Sequence, residues 1–326
     1  MSSDVLWLAA VGGALDGVSN RHEALCSRIQ FIYKYIVLLY IRSSAQEPNP
    51  PDGAAHHARG PISKRCRQWN LRVFVTDPAR RGHRALLRWL RTQDETPQIA
   101  GTGDEGLIQY GRFWHRRAPG MTCLSALCAA QRLGAPAVND SKGCGTIMRV
   151  APVAPLCPRE DVHDLAVATS ALTHGHPTGR IAAAAWAGML ADVGTGMELE
   201  EAAEAALARL TGDDAAETRD AIRAALQAPR DGEPATVETP GVGWTAEEAL
   251  SIALYACLTN DDIEFGLRCA ATHSGDSAST AAVAGNMMGL LHPEELLRHR
   301  WANRVQFREW FAKMNADWMK AVASAA

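Results

Sequence analysis

Residues 181–191 read IAAAAWAGMLA, a run of small side chains at helical spacing. Ala is the strongest helix former and adds little bulk, so neighbouring helices can approach such a segment closely. That property suits the inside of a helical bundle. From residue 83 onward the rest of the chain carries the same period. Ala85, Leu86, Trp89 and Leu90 fall on one face, leaving Arg84, Arg88 and Arg91 for solvent. Further helices are predicted over 121–132, 160–172, 179–193, 198–211, 215–227, 245–258, 262–272, 278–291, 293–300 and 304–323. In TGMELEEAAEAALARL (195–210) the start signal sits at Thr195 or Gly196, and the acidic first turn faces the helix dipole. None of these segments alternates as a strand would, no internal repeat is found, and aromatic residues make up only 6%. The expectation is an all-α fold, a compact single-domain helical bundle over residues 83–326.

Residues 1–82 read differently. From 42 to 80 the chain is dense in Pro, Gly, Arg and Ser and holds neither helical nor strand period. So long a structureless stretch is unusual within a compact domain, so 1–82 is set apart as an atypical, loop-rich segment. The opening MSSDVLWLAAVGGALDG has no positive residue before its apolar stretch, which argues against a signal peptide. The apolar run at 31–41 spans eleven residues and includes Lys34. Crossing a bilayer takes about 20 residues, so no membrane association is expected.

With 33 Lys+Arg against 36 Asp+Glu there is no bulk positive field, and nucleic acid is not the expected partner. Eight cysteines, at 26, 66, 123, 128, 144, 157, 257 and 269, lack CxxC spacing and the density of a disulfide scaffold. They read as free thiols in a reducing compartment, which points to the cytoplasm.

Three clusters could carry chemistry. NDSKGCGTIMRVAP (139–152) gathers Asn139, Asp140, Ser141, Gly143 and Gly145. Its glycines let backbone N–H groups converge on an anion, with Lys142 or Arg149 adding charge, although a plain turn has the same composition. LTHGHPTGR (172–180) places His174 and His176 around Gly175 before a helix, where they could meet a ligand or simply cap it. In ATHSGDSASTAAVAGNMMGLLHP (271–293), Asp276 and Ser279 share one helix face. They could serve a hard cation such as Mg²⁺, or act as the helix cap.

In this order and at these separations, the clusters resemble the ADP-ribosylglycohydrolase family, that of the dinitrogenase reductase-activating glycohydrolases and ADP-ribosylarginine hydrolases. The family-like segments are LLRWLRTQ (86–93), FWHRRAPGMTCLSAL (113–127), NDSKGCGTIMRVAPV (139–153), THGHPTGRIAAAAWAGML (173–190), GVGWTAEEALSIALYAC (241–257) and THSGDSASTAAVAGNMMG (272–289). The resemblance implies an all-helical, Mg²⁺-dependent hydrolase. In such a protein the Ser141 to Arg149 loop wraps the ADP-ribose diphosphate, drawing on Asn139, Ser141, Lys142, Gly143, Cys144 and Gly145. Met148 packs behind the loop and His174 faces the distal ribose.

Two Mg²⁺ ions hold the ribose hydroxyls and a water in the implied mechanism. The water attacks the anomeric carbon and frees ADP-ribose from a modified side chain, arginine by kinship. Of the metal oxygens, Asp276 and Ser279 match ligand positions, and Asp276 is the metal-linked carboxylate. The family's next carboxylate is replaced by Ala278. Its upstream Thr-Asp-Asp triplet does not occur in the chain, the nearest string being Thr76-Asp77-Pro78, and VGGALDG (11–17) only echoes the usual opening. A change of reading frame upstream of residue 83 would account for this. The expectation is reduced hydrolase activity; the alternative is a non-catalytic protein that binds ADP-ribose or blocks a partner.

Overall fold

The computed structural model of the protein describes residues 78–310, with 117, 156 and 306 excepted. Among the described residues there are eleven α-helices, short 3₁₀ turns and no strand beyond a single bridge between Gly143 and Thr245. The helices are α1 (Pro78–Arg91), α2 (Met121–Ala129), α3 (Val162–Ala171), α4 (Pro177–Gly194), α5 (Leu199–Arg209) and α6 (Ala216–Gln227). They continue with α7 (Pro234–Val237), α8 (Ala246–Thr259), α9 (Ile263–Ala271), α10 (Ser277–Leu291) and α11 (Pro293–Arg298). None is long and apolar enough to cross a membrane.

Helices α4, α8 and α10 form the centre. Ala182, Ala183, Trp186, Ala187 and Met189 of α4, Ala249 through Ala256 of α8, and Ala281 through Met288 of α10 are almost wholly buried. A helix that is apolar and buried all round belongs in a core. α3 and α5 pack on α4, α6 on α8, and α9 on both α8 and α10. A smaller apolar cluster joins Leu86, Leu87, Trp89 and Leu90 of α1 to Cys123, Leu124 and Leu127 of α2. Close approach is visible at Gly179 of α4, where an added Cβ would stand 3.0 Å from Lys142 Cα.

Four expectations change. α1 already includes Pro78, so residues 78–80, expected to be loop, are helical. Arg88 is buried, not solvated, because the segment after α1 folds back over that face. Its guanidinium donates to Thr102 O at 3.1 Å and pairs with Glu105. Thr195 and Gly196 end α4 and do not start α5. Gly196 takes φ +101°, which favours glycine, and its N–H donates to Val193 O at 2.9 Å, while Glu198 stands at the N-cap position of α5 without a side-chain cap bond. The helix expected over 304–323 is described only as far as 310, with Phe307 at φ +67° interrupting it. Thr76-Asp77 and residues 11–17 lie outside the described residues.

Because Ala253 is fully buried between central helices, Ala253→Leu should lower unfolding free energy by about 1–3 kcal/mol through overpacking. Ala208→Leu, on the exposed side of α5, should stay within about 0.5 kcal/mol of the parent in urea titrations.

Candidate functional site

The segment 139–149 is gripped by the N-terminal ends of four helices. Thr122 at the start of α2 shares a hydrogen bond with Ser141, Oγ1 to Oγ, at 3.1 Å. The N–H of His176, the N-cap of α4, donates to Ser141 O at 3.3 Å. The first N–H of α8, on Ala246, donates to Lys142 O at 2.8 Å, and Cys144 N–H donates to Trp244 O at 3.0 Å. Asp276, the N-cap of α10, lies 3.5 Å from Cys144 Sγ through its Oδ2. Four helix starts thus border one loop, and their dipoles lend it partial positive charge, against which stand the carboxylates of Asp276, Glu217 and Glu247.

Asn139 staples the loop to the segment carrying His174. Its Nδ2 donates to Thr173 O at 2.9 Å, and its Oδ1 accepts from Gly175 N at 2.9 Å and Ser141 N at 3.1 Å. His174 stands inside this nest, 1% exposed, with Nδ1 2.8 Å from Thr173 Oγ1. Its Nε2 edge faces the glycines: a Cβ added at Gly143 would be 3.3 Å from Nε2, and one at Gly145 3.3 Å from Cε1. Burial, reinforced by Arg149, lowers the His174 pKa to about 3, so the ring is neutral at ordinary pH.

Neither candidate cation points at an incoming anion as a bare charge. Lys142 Nζ is paired with Glu217 at 3.0 Å and Glu247 at 2.6 Å. Arg149 is buried below the loop, donating to Gly145 O at 2.7 Å and Thr173 Oγ1 at 2.5 Å. Met148 is 2% exposed beneath the loop, and Cys144 Sγ approaches its Sδ at 3.8 Å. Burial first, and then Asp276, push the Cys144 thiol far up, so it stays protonated.

The described residues do not fit the two Mg²⁺ ions that the family implies. Asp276 Oδ2 accepts from Ser279 Oγ at 2.6 Å, and its Oδ1 is 3.4 Å from Ser279 N, so the pair acts as a helix cap. Where a second carboxylate would stand, Ala278 places a buried methyl group. Among the described residues, no three His, Cys, Asp or Glu side chains are grouped to hold a metal.

Thus Asn139, Ser141, Gly143, Cys144, Gly145, Met148 and His174 come together, with Asp276 and Ser279 at the far edge. Lys142 is turned aside, and His176 caps α4 by accepting from Thr178 N at 3.1 Å. Sequence reasoning missed Thr173, Thr122, Glu217, Glu247 and Trp244. Thr122, Thr173, Glu247 and the 56% exposed Trp244 lie within the family-like segments quoted above, whereas Glu217 lies outside all of them and carries no local signal.

An all-helical fold with a glycine-containing loop bordered by four helix starts defines the class, and comparison with known proteins narrows it. The ADP-ribosylglycohydrolase family model matches residues 64–325. The chain therefore belongs to the ADP-ribosylglycohydrolase family. A solved structure titled "ADP-ribosylglycohydrolase-related protein complex" is similar at 18% identity and TM-score 0.55, covering 98% of this chain and 99% of that one. At that identity it speaks for the fold alone. A search of curated proteins gave no match.

The buried histidines make stability depend on acid. Burial also lowers the His83 pKa to about 4. Both folded-state values lie below the unfolded 6.5, so stability is full above pH 6.5 and falls as the unfolded chain takes up protons that the folded one refuses. For His174 the loss is about 1.4 kcal/mol per pH unit, or about 2 kcal/mol by pH 5. The urea midpoint should fall between pH 6.5 and 5, and His174→Gln should flatten that fall.

Proposed function

We propose that the protein recognises ADP-ribose, free or carried on a modified arginine side chain, and hydrolyses the glycosidic bond slowly compared with a family member that has a complete metal site. The observation that carries this reading is the convergence of four helix N-termini on a glycine loop that also holds a buried, neutral histidine. Diphosphate is dianionic and rich in acceptors, so it matches a field made by backbone dipoles. The exposed indole of Trp244, tied to the loop through its carbonyl, offers the adenine a stacking face. His174 meets the ribose nearest the reacting bond.

Hydrolysis needs a group that orients the sugar and activates water. In this family Mg²⁺ supplies that chemistry when bound. Here Asp276 is committed to Ser279, and Ala278 offers no oxygen, so binding is retained while turnover suffers. Cys123, Cys128, Cys144, Cys257 and Cys269 are free thiols, which fits the reducing cytoplasm as the place of action.

Calorimetry should detect ADP-ribose binding with Mg²⁺ chelated, while release of ADP-ribose from ADP-ribosylated arginine with Mg²⁺ present should stay near background. Ala278→Asp alone should not restore release, because one carboxylate does not make a two-ion site. Rapid release by the parent protein would overturn the reduced-turnover reading. Absence of binding would overturn recognition itself.

A further inference from the structure

The atom by which His174 can meet a ligand is Nε2. It has no hydrogen-bond partner among the described residues and is not sealed from solvent, although the residue as a whole is 1% exposed. Which kind of group Nε2 presents, donor or acceptor, depends on where the single proton of the neutral ring sits.

That choice is made on the opposite side of the ring. The Arg149 guanidinium can only donate, and its Nη2 lies 2.5 Å from Thr173 Oγ1. The Thr173 hydroxyl therefore receives one hydrogen bond from Arg149 and has one proton of its own to give. The acceptor beside it is His174 Nδ1, at 2.8 Å. A proton already on Nδ1 would leave the hydroxyl facing two donors, with its own proton unplaced in a fully buried position. The proton consequently resides on Nε2.

We infer that Arg149 and Thr173 are positioning residues that fix His174 as an Nε2–H donor, so that the loop selects ligands presenting an oxygen acceptor against the Gly143–Gly145 backbone. This rests on the ADP-ribose reading for the identity of the ligand, whose acceptor there is a ribose or phosphate oxygen. The two glycines complete the device. Neither has a positive φ, and their role is to leave the ring edge uncovered, since a Cβ at either would crowd it at 3.3 Å. Asn139 holds the ring's own segment in register through Thr173 O and Gly175 N.

Long-range proton–nitrogen NMR of the full chain, without ligand, reads the tautomer directly. The parent protein should show His174 protonated on Nε2. Thr173→Val, which keeps the shape and removes the hydroxyl, should move the proton to Nδ1 or give a mixture, and should weaken ADP-ribose binding about tenfold in calorimetry. Thr173→Ser should retain both the parent tautomer and an affinity within about twofold. An Nδ1-protonated ring in the parent, or a Thr173→Val protein that keeps the Nε2 proton and the parent affinity, overturns the proposal. The parent spectrum decides the question even if Thr173→Val does not fold. Failure of the parent to bind ADP-ribose, with the Nε2 proton observed, would overturn the choice of ligand and leave the positioning role standing.

Discussion

Backbone passes against backbone at Gly175 and Gly275, and the whole ligand region hangs on those two contacts. A Cβ at Gly175 would stand 1.8 Å from the carbonyl oxygen of Asn139, and one at Gly275 1.9 Å from that of Val242. No rotamer relieves such a collision, because both partners are main chain. Only with a hydrogen in those places can the segments at 139–149, 172–176 and 241–245 nest together. Once nested, Asn139 reaches two segments, Trp244 accepts from Cys144, and four helices can begin at one spot. The small residues of α4, α8 and α10 extend the same economy of volume into the core.

Electrostatics then follow from geometry. Helix starts lend the loop positive potential without a mobile cation, and Lys142 is neutralised by Glu217 and Glu247. A neutral His174 adds a directed hydrogen bond and no charge. Asp276 is drawn into local duty as a cap, held by Ser279 and approached by the protonated Cys144 thiol. These are the features on which the proposed recognition of a diphosphate ester rests, and they include no group of three acidic, histidine or cysteine side chains among the described residues.

Helices were legible because burial on one face imposes a period of 3.6 on the sequence, and most predicted spans fall within two or three residues of those observed. Arg88 was misread because its cover comes from a loop without period, whose Glu105 lies seventeen residues away. Thr195 and Gly196 were misread because a stop for one helix and a start for the next use similar residues, and only the φ of Gly196 separates them. Among the site residues, the glycine loop and His174 stood out by composition. Thr173, between Leu172 and His174, gave no sign of its place in a chain of hydrogen bonds.

By itself the sequence determined the class of structure, the helical spans and the residue types of the ligand loop, since periodicity, small side chains and glycine spacing are local properties. It also determined that Ala278 has no oxygen to offer. Tertiary structure alone decided that four helix starts meet at one loop, that Lys142 turns away to two carboxylates, and that a buried arginine and threonine set the proton of His174. Those outcomes depend on distances between segments 19 to more than 100 residues apart, measured across contacts that no local pattern encodes.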